Sequence, residues 1–258
     1  MENLKYLRDK FQKVTFLNLI VDIGNNSTKF YLFQETQMIL HTRKNDGDYS
    51  FLEEWRATYS IDKAIVSSVI DLADGQKESI SSLGCPIIWF NNETPIPLEI
   101  AYRTPQTLGS DRLAAAVGAW YEAKGHNIII IDAGSAITTD FVDSKGKYLG
   151  GNIAPGIKMR LMALHEYTSR LPLVDKEGEI PTIGYNTETA IRSGVISGIC
   201  HEIDGYICHF REKYGNVFVF LTGGDEISLK NRIKSRIFAD KYLVAKGLNR
   251  ILLDYEIE

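Results

Sequence analysis

The sequence predicts an α/β fold of two related domains, and three observations carry that expectation. A strand-to-turn pattern occurs twice, apolar strand-like runs alternate with helix-like stretches, and 258 residues at 44% hydrophobic content suffice for two cores.

The repeat organises the chain. Leu19-Ile20-Val21-Asp22-Ile23-Gly24-Asn25-Asn26-Ser27-Thr28-Lys29 is an apolar run that breaks into an acid, a glycine and small polar groups, as a buried strand does on opening into a tight turn. Residues 128–141 repeat it, with Asp132 in the place of Asp22, Gly134 of Gly24, Thr138 of Thr28 and Phe141 of Tyr31. Two such turns facing one cleft suit a phosphorylated nucleotide. Backbone N–H groups and hydroxyls donate to phosphate, glycine lets the main chain approach, Lys29 adds charge, and each aspartate can hold a cation. A lone Asp-x-Gly is an ordinary turn after a strand; the second copy, with matching flanks, is what points to a site.

The other elements follow in order. Residues 1–14 mix Leu4, Leu7 and Phe11 with lysines and Arg8 at a spacing that makes a short amphipathic helix. Residues 29–41 alternate as hairpin strands, 52–59 read as helix, and 64–69 and 86–90 as short strands. Pro95 and Pro97 break the chain before a helix that starts at Ser110, read as its N-cap, with Asp111 in the first turn and Leu113, Val117, Trp120 and Tyr121 on one apolar face. Taken alone, Asp111 is an ordinary first-turn acid; its place just before the second turn raises a functional reading. Residues 141–150 read as a hairpin with its tip at Asp143-Ser144-Lys145-Gly146, and 158–165 as helix.

A long helix is expected over 188–213. Gly194 and Gly198, four apart, permit close helix contact, either within the domain or at a dimer seam. Cys200-His201 and Cys208-His209 on it invite zinc, but eight helical residues rise about 12 Å, too far for both pairs to share one tetrahedral ion. Residues 217–221 read as a strand, and Thr222-Gly223-Gly224-Asp225 as a turn that either underlies the nucleotide or merely connects strand to helix. Residues 242–244 and 247–252 close the chain as a short strand and a helix.

Composition removes several classes. A net charge of -4 offers no bulk attraction to nucleic acid or anionic membrane. No apolar run approaches the roughly 20 residues of a membrane helix. Three cysteines, Cys85, Cys200 and Cys208, are too few and too odd a set for a disulfide framework, so a cytoplasmic protein is expected.

Together the motifs resemble the type III pantothenate kinases of the acetate kinase, sugar kinase, Hsp70 and actin superfamily. The resemblance runs from about Leu17 to the C-terminus and rests on five motifs in order: Asp22-Ile23-Gly24-Asn25-Asn26, Gly109-Ser110-Asp111-Arg112, residues 132–140, Gly150-Gly151-Asn152-Ile153-Ala154-Pro155-Gly156, and Asn186-Thr187. It implies two related actin/ribonuclease H-like domains facing a central nucleotide cleft, spanning residues 17–116 and 117–258, after an extension of unassigned role at 1–16. The implied reaction moves the γ-phosphoryl of ATP to pantothenate, giving 4'-phosphopantothenate, the first step of coenzyme A biosynthesis. It needs Mg2+ and a monovalent cation, K+ or NH4+, and a homodimer is expected, with no nucleic-acid or membrane partner.

The resemblance also implies roles. Asp22, Ile23, Gly24, Asn25, Asn26, Ser27, Thr28, Lys29 and Ser135 would hold ATP; Tyr102, Gly109, Ser110, Asp111, Arg112 and Thr187 pantothenate; Asp132 the monovalent cation; and Asp111 would be the catalytic base. Asn26 and Ser135 stand where the family usually has threonine. Ser135 keeps the hydroxyl, whereas Asn26 keeps a donor and loses it. Two other classes compete: a kinase-like regulatory protein without turnover, against which the intact Asp111-Arg112 pair weighs, and another small-alcohol or sugar kinase, against which Tyr102 and Gly-x-Asp-Arg weigh.

Overall fold

The computed structural model describes residues 16–45 and 47–255; residues 1–14, expected to be helical, lie outside them. The chain divides into two compact units. One takes residues up to Pro97, Thr104–Gly118 and everything from Val244, and the other takes Leu98–Arg103 and Ala119–Leu243. This division departs from the expected boundary at 116/117 in three places: 98–103 falls in the second unit, and 117–118 and the C-terminal stretch fall in the first.

In the first unit, β1 (Leu17–Ile23), β2 (Thr28–Gln34) and β3 (Gln37–Lys44) form an antiparallel meander. After α1 (Phe51–Thr58), strand β4 (Ile61–Ser68) returns parallel to β1, and after α2 (Asp74–Ser81), β5 (Ile87–Trp89) pairs parallel to β4. The sheet order is β3-β2-β1-β4-β5. Every residue of β1 is buried, the polar Asn18 and Asp22 included, as in a central strand covered on both faces. Leu19, Val21, Phe30, Leu32, Val66, Leu52 and Ile80 share the core. At about 25 cal/mol per Å2 of apolar surface, such side chains dominate the stabilisation of this sheet.

The division falls within α3 (Ser110–Glu122). The second unit opens with the two-residue strand β6 (Glu99–Ile100), followed by β7 (Asn127–Ala133), β8 (Ala136–Val142) and β9 (Lys147–Pro155), a second antiparallel meander. Strand β9 runs on through Gly150 and Gly151 to Pro155, with Gly150 at φ +114°. Helices α4 (Ile157–Glu166) and α5 (Thr187–Tyr214) lead to β10 (Val217–Thr222), parallel to β7, then α6 (Glu226–Lys230) and β11 (Phe238–Ala239), parallel to β10. The order is β11-β10-β7-β8-β9-β6. With β6 set aside, it repeats the first sheet strand for strand. The duplication legible around Asp22 and Asp132 therefore extends to the whole topology.

The last helix, α7 (Leu243–Asp254), belongs to the first unit almost entirely. The strand expected at 242–244 is instead the start of this helix: Asp240 accepts N–H bonds from Tyr242 (side chain, 2.9 Å) and Leu243 (main chain, 3.2 Å) and turns the chain into it. At Gly247 it meets α3 backbone to backbone, because a Cβ there would press on the Ala114 carbonyl. Asn249, 2% exposed, pins it further, accepting from Asn18 Nδ2 at 2.9 Å and donating to the Glu35 carbonyl at 2.7 Å.

Helix α5 is continuous across both Cys-His pairs. Burial pushes the Cys200 thiol up to about 11, while Cys208 is exposed. The helix contact within the domain that Gly194 and Gly198 allowed is not made: a Cβ on either would meet no described atom within 4 Å. No helix among the described residues is long and apolar enough to cross a membrane.

Candidate active site

The two strand-end turns are built alike and differ by one residue. In the first, the Gly24 N–H donates to the Ser27 carbonyl at 3.0 Å, and Asp22 sits across the hairpin from Lys29. In the second, the Gly134 N–H donates to the Ala136 carbonyl, also at 3.0 Å, and Asp132 faces Thr138. The second turn is one residue tighter. Thr28 and Thr138, matched in sequence, therefore fall at different places: Thr138 opposite its acid, Thr28 one step away, beside Ile23.

This drift decides what each side chain offers. Thr28 is buried, and its hydroxyl lies 2.6 Å from that of Tyr49, so its side chain faces the core of the unit. Lys29 Nζ lies 3.1 Å from Asp22 Oδ2. The ammonium thus compensates a carboxylate whose side chain is itself only 10% exposed. Asn25 and Asn26 are exposed at the turn, with Gly24 and Ser27 half-buried. The turn presents main chain and amide groups outward and keeps its charges paired at the base.

Each acid also has a buried hydroxyl beside it on the parallel neighbour. Asp22 is in register with Ser67 of β4, and Asp132 with Thr222 of β10; Ser67 and Thr222 are each 1% exposed. Ser67 was not singled out from the sequence, and Thr222 only as the first residue of the 222–225 turn. The signal was present as a polar residue closing an apolar strand, but strand pairing alone reveals which acid it serves. The Ser67 hydroxyl reaches the Ser110 hydroxyl at 2.9 Å.

Ser110 does not cap α3. It is the first residue of the helix, and Gly109 provides the capping carbonyl, accepting from the Leu113 N–H at 3.3 Å. The serine hydroxyl, directed to Ser67 and to the Ser68 carbonyl at 3.5 Å, fastens the start of the helix to β4. Asp111 follows in the first turn, half-buried, its Oδ1 accepting the Arg112 N–H at 2.8 Å. A side chain at Gly109 would run into that carboxylate, and Arg112 is 6% exposed. The first unit therefore gathers Asp22, Lys29, Ser67, Ser110 and Asp111 at the ends of β1 and β4, the start of β2 and the start of α3.

In the second unit, the Thr222–Asp225 turn wraps the end of β7. Gly223, at φ +98°, has no room for a Cβ because it lies against the Ala133 carbonyl and Asp132 Oδ1, and the Asp225 N–H donates to that carbonyl at 2.9 Å. Lys176 Nζ meets Asp225 Oδ1 at 2.6 Å, and this hydrogen bond raises the lysine above its ordinary pKa. The bare glycine thus lets the turn pack directly on the end of β7, beside the Asp132 carboxylate. Ser135 is exposed at the turn, and its carbonyl accepts the Gly156 N–H at 3.1 Å.

Tyr102 and Thr187 also lie in the second unit. Tyr102 follows β6 and rests on Gly150. Thr187 is the exposed first residue of α5, whose N-terminus is capped by Asn186 Oδ1 accepting from the Thr189 N–H at 2.8 Å. Arg192, 7% exposed, binds the Asp175 carbonyl through Nε at 2.9 Å and the Glu179 carbonyl through Nη1 at 3.2 Å, fixing the segment that carries Lys176.

Residues 18–209 match the family model of the type III pantothenate kinases. A type III pantothenate kinase of Bacteroides fragilis is 50% identical over 236 residues, covering 92% of this chain and 97% of the relative. Among solved structures, a conserved putative Baf family transcriptional activator from Campylobacter jejuni aligns with a TM-score of 0.58 and 26% identity, covering 92% and 98% of the two chains. A putative N-acetylmannosamine kinase from Listeria monocytogenes aligns at 0.53 with 13% identity over 92% and 99%, a likeness of fold.

Proposed function

This chain belongs to the type III pantothenate kinase family, and we propose that it transfers the γ-phosphoryl of ATP to the primary hydroxyl of pantothenate, giving 4'-phosphopantothenate on the way to coenzyme A. The observation that carries this reading is the 50% identity to a pantothenate kinase over nearly the whole chain. The fastened start of α3, with Asp111 beside the Ser67–Ser110 bond, supports it. The intact Asp111-Arg112 pair weighs against a regulatory protein without turnover, which has no chemical need for the base.

Phosphoryl transfer proceeds through a loose transition state, so positioning and charge neutralisation do most of the work. In this reading, the 22–29 turn and Ser135 hold the ATP phosphates. Main-chain N–H groups and the exposed asparagines of the first turn serve as donors, and Thr28 contributes backbone only. Tyr102, Gly109, Ser110, Asp111, Arg112 and Thr187 hold pantothenate. Asp111 orients the primary hydroxyl and takes its proton late, since a carboxylate is far too weak a base to deprotonate an alcohol in the ground state. Mg2+ on the nucleotide and K+ or NH4+ at Asp132 would supply positive charge when bound; the place of Asp132, half-buried near the end of β7, supports the second assignment.

The same reading keeps two ATPase-like domains, a cytoplasmic location and a homodimer. The uncovered Gly194–Gly198 face of α5 supports the dimer.

The test is product identity. Purified protein with ATP, Mg2+ and K+ is expected to convert pantothenate to a phosphomonoester at its primary hydroxyl, seen by mass spectrometry and phosphorus NMR. A protein that binds ATP and leaves pantothenate unmodified overturns the proposal.

A further inference from the structure

Tyr102 is held by an assembly on β8 and β9 to which nothing above assigns a part in substrate binding. Strand β9 carries a bulge: Phe141 pairs with Gly150 and Val142 with Tyr148, leaving Leu149 as the extra residue. A bulge re-aims the side chains on either side of it. Here it turns Tyr148 fully inward, at 0% exposure, and brings the bare Cα of Gly150 beneath the Tyr102 ring. A Cβ on Gly150 would lie 3.1 Å from Tyr102 Cδ2, and the residue's φ of +114° is itself one that side chains rarely adopt.

Behind this seat stands a buried acid. Asp140, 1% exposed, accepts a hydrogen bond from the Tyr148 hydroxyl at 2.5 Å. Its register partner on β9 is Gly151, where a Cβ would collide with the Thr139 carbonyl and the Asp140 carboxylate. The two adjacent glycines therefore have separate jobs: Gly151 makes room for the acid and Gly150 for the Tyr102 ring. Tyr148 joins the two, its ring set edge-on to Tyr102 with centroids 6.4 Å apart, and its carbonyl accepts the Ala101 N–H at 2.9 Å. Ring, backbone and carboxylate together fix where Tyr102 points.

We propose that Asp140, Tyr148 and Gly150 are positioning residues for Tyr102 and set the pose in which it meets pantothenate. This rests on the reading of Tyr102 as a pantothenate contact. Removing the Tyr148 hydroxyl frees one end of the assembly, and adding a methyl at Gly150 displaces the ring itself. Misplacing a substrate-binding group by a fraction of an ångström raises the requirement for that substrate and leaves the other unchanged.

The experiment measures KM for pantothenate and for ATP in Tyr148→Phe, Gly150→Ala and Tyr102→Ala, and in the Tyr148→Phe/Tyr102→Ala double variant. Tyr148→Phe and Gly150→Ala are each expected to raise KM for pantothenate about tenfold with KM for ATP within about twofold. Tyr148→Phe is expected to add nothing further once Tyr102 is alanine, because it acts through that ring. If Tyr102→Ala raises KM for pantothenate and Tyr148→Phe does not, or if the effects of the two multiply independently, the positioning proposal is overturned and the Tyr102 reading stands. If Tyr102→Ala itself leaves KM for pantothenate unchanged, both fall. Should Gly150→Ala fail to fold, Tyr148→Phe, which keeps the ring and its volume, decides alone.

Discussion

The hydroxyl of Ser67, at the end of β4, lies 2.9 Å from that of Ser110, the first residue of α3, and both are buried. The bond ties the strand beside Asp22 to the helix turn that presents Asp111. Ser67→Ala leaves Ser110 with only a long approach to the Ser68 carbonyl, 3.5 Å away. A lost buried hydrogen bond is worth about 1 kcal/mol, about a factor of five in rate when it acts on a positioned catalytic group. Ser67→Ala is therefore expected to lower kcat for pantothenate phosphorylation about fivefold with KM for ATP unchanged, measured by steady-state ADP release. An unchanged kcat would separate this bond from the chemistry and leave it as packing.

A second prediction concerns pH and stability. Asp204 on α5 accepts the Ser235 N–H on Oδ1 at 2.9 Å and the Lys234 N–H on Oδ2 at 3.0 Å. Burial alone would raise its pKa, but these bonds and the Lys234 charge outweigh burial and hold the carboxyl below its ordinary value. A depressed folded pKa contributes stability that is present above the unfolded value, about 3.9, and is lost as pH falls through the folded one. Asp204→Asn keeps an acceptor and loses the charge. Its urea midpoint is expected to lie below the wild type at pH 7, by the equivalent of about 1 kcal/mol or less after solvent screening. The gap should stay constant down to about pH 4 and close below it. A gap that persists unchanged at pH 3 would contradict this.

The sequence made the duplicated strand-turn unit legible because both copies end an unbroken apolar run in an acid and a glycine, at Asp22-Ile23-Gly24 and Asp132-Ala133-Gly134. The match between Thr28 and Thr138 misled, since turn length is counted across a hairpin and the second turn is one residue tighter. Ser110 read as an N-cap because serine is favoured there; Gly109 supplies the cap, and a partner distant in sequence, Ser67, claims the hydroxyl. Residues 242–244 read as strand by composition, while the turn at Asp240 had already committed them to helix. Strands β6 and β11, two residues each, are too short to show a period. Asp140 and Tyr148 stood inside or beside recognised motifs, but their bond depends on a bulge at Leu149 that no spacing reveals.

The most direct test compares ADP release by the wild type and Asp111→Asn, with and without pantothenate, alongside ATP binding to each. The account predicts pantothenate-dependent release by the wild type, and a loss of about 10²–10⁴-fold in kcat for Asp111→Asn with ATP binding intact. An Asp111→Asn protein that turns over pantothenate at the wild-type rate would contradict the assignment of the base. A wild type that binds ATP and releases no pantothenate-dependent ADP would contradict the function itself.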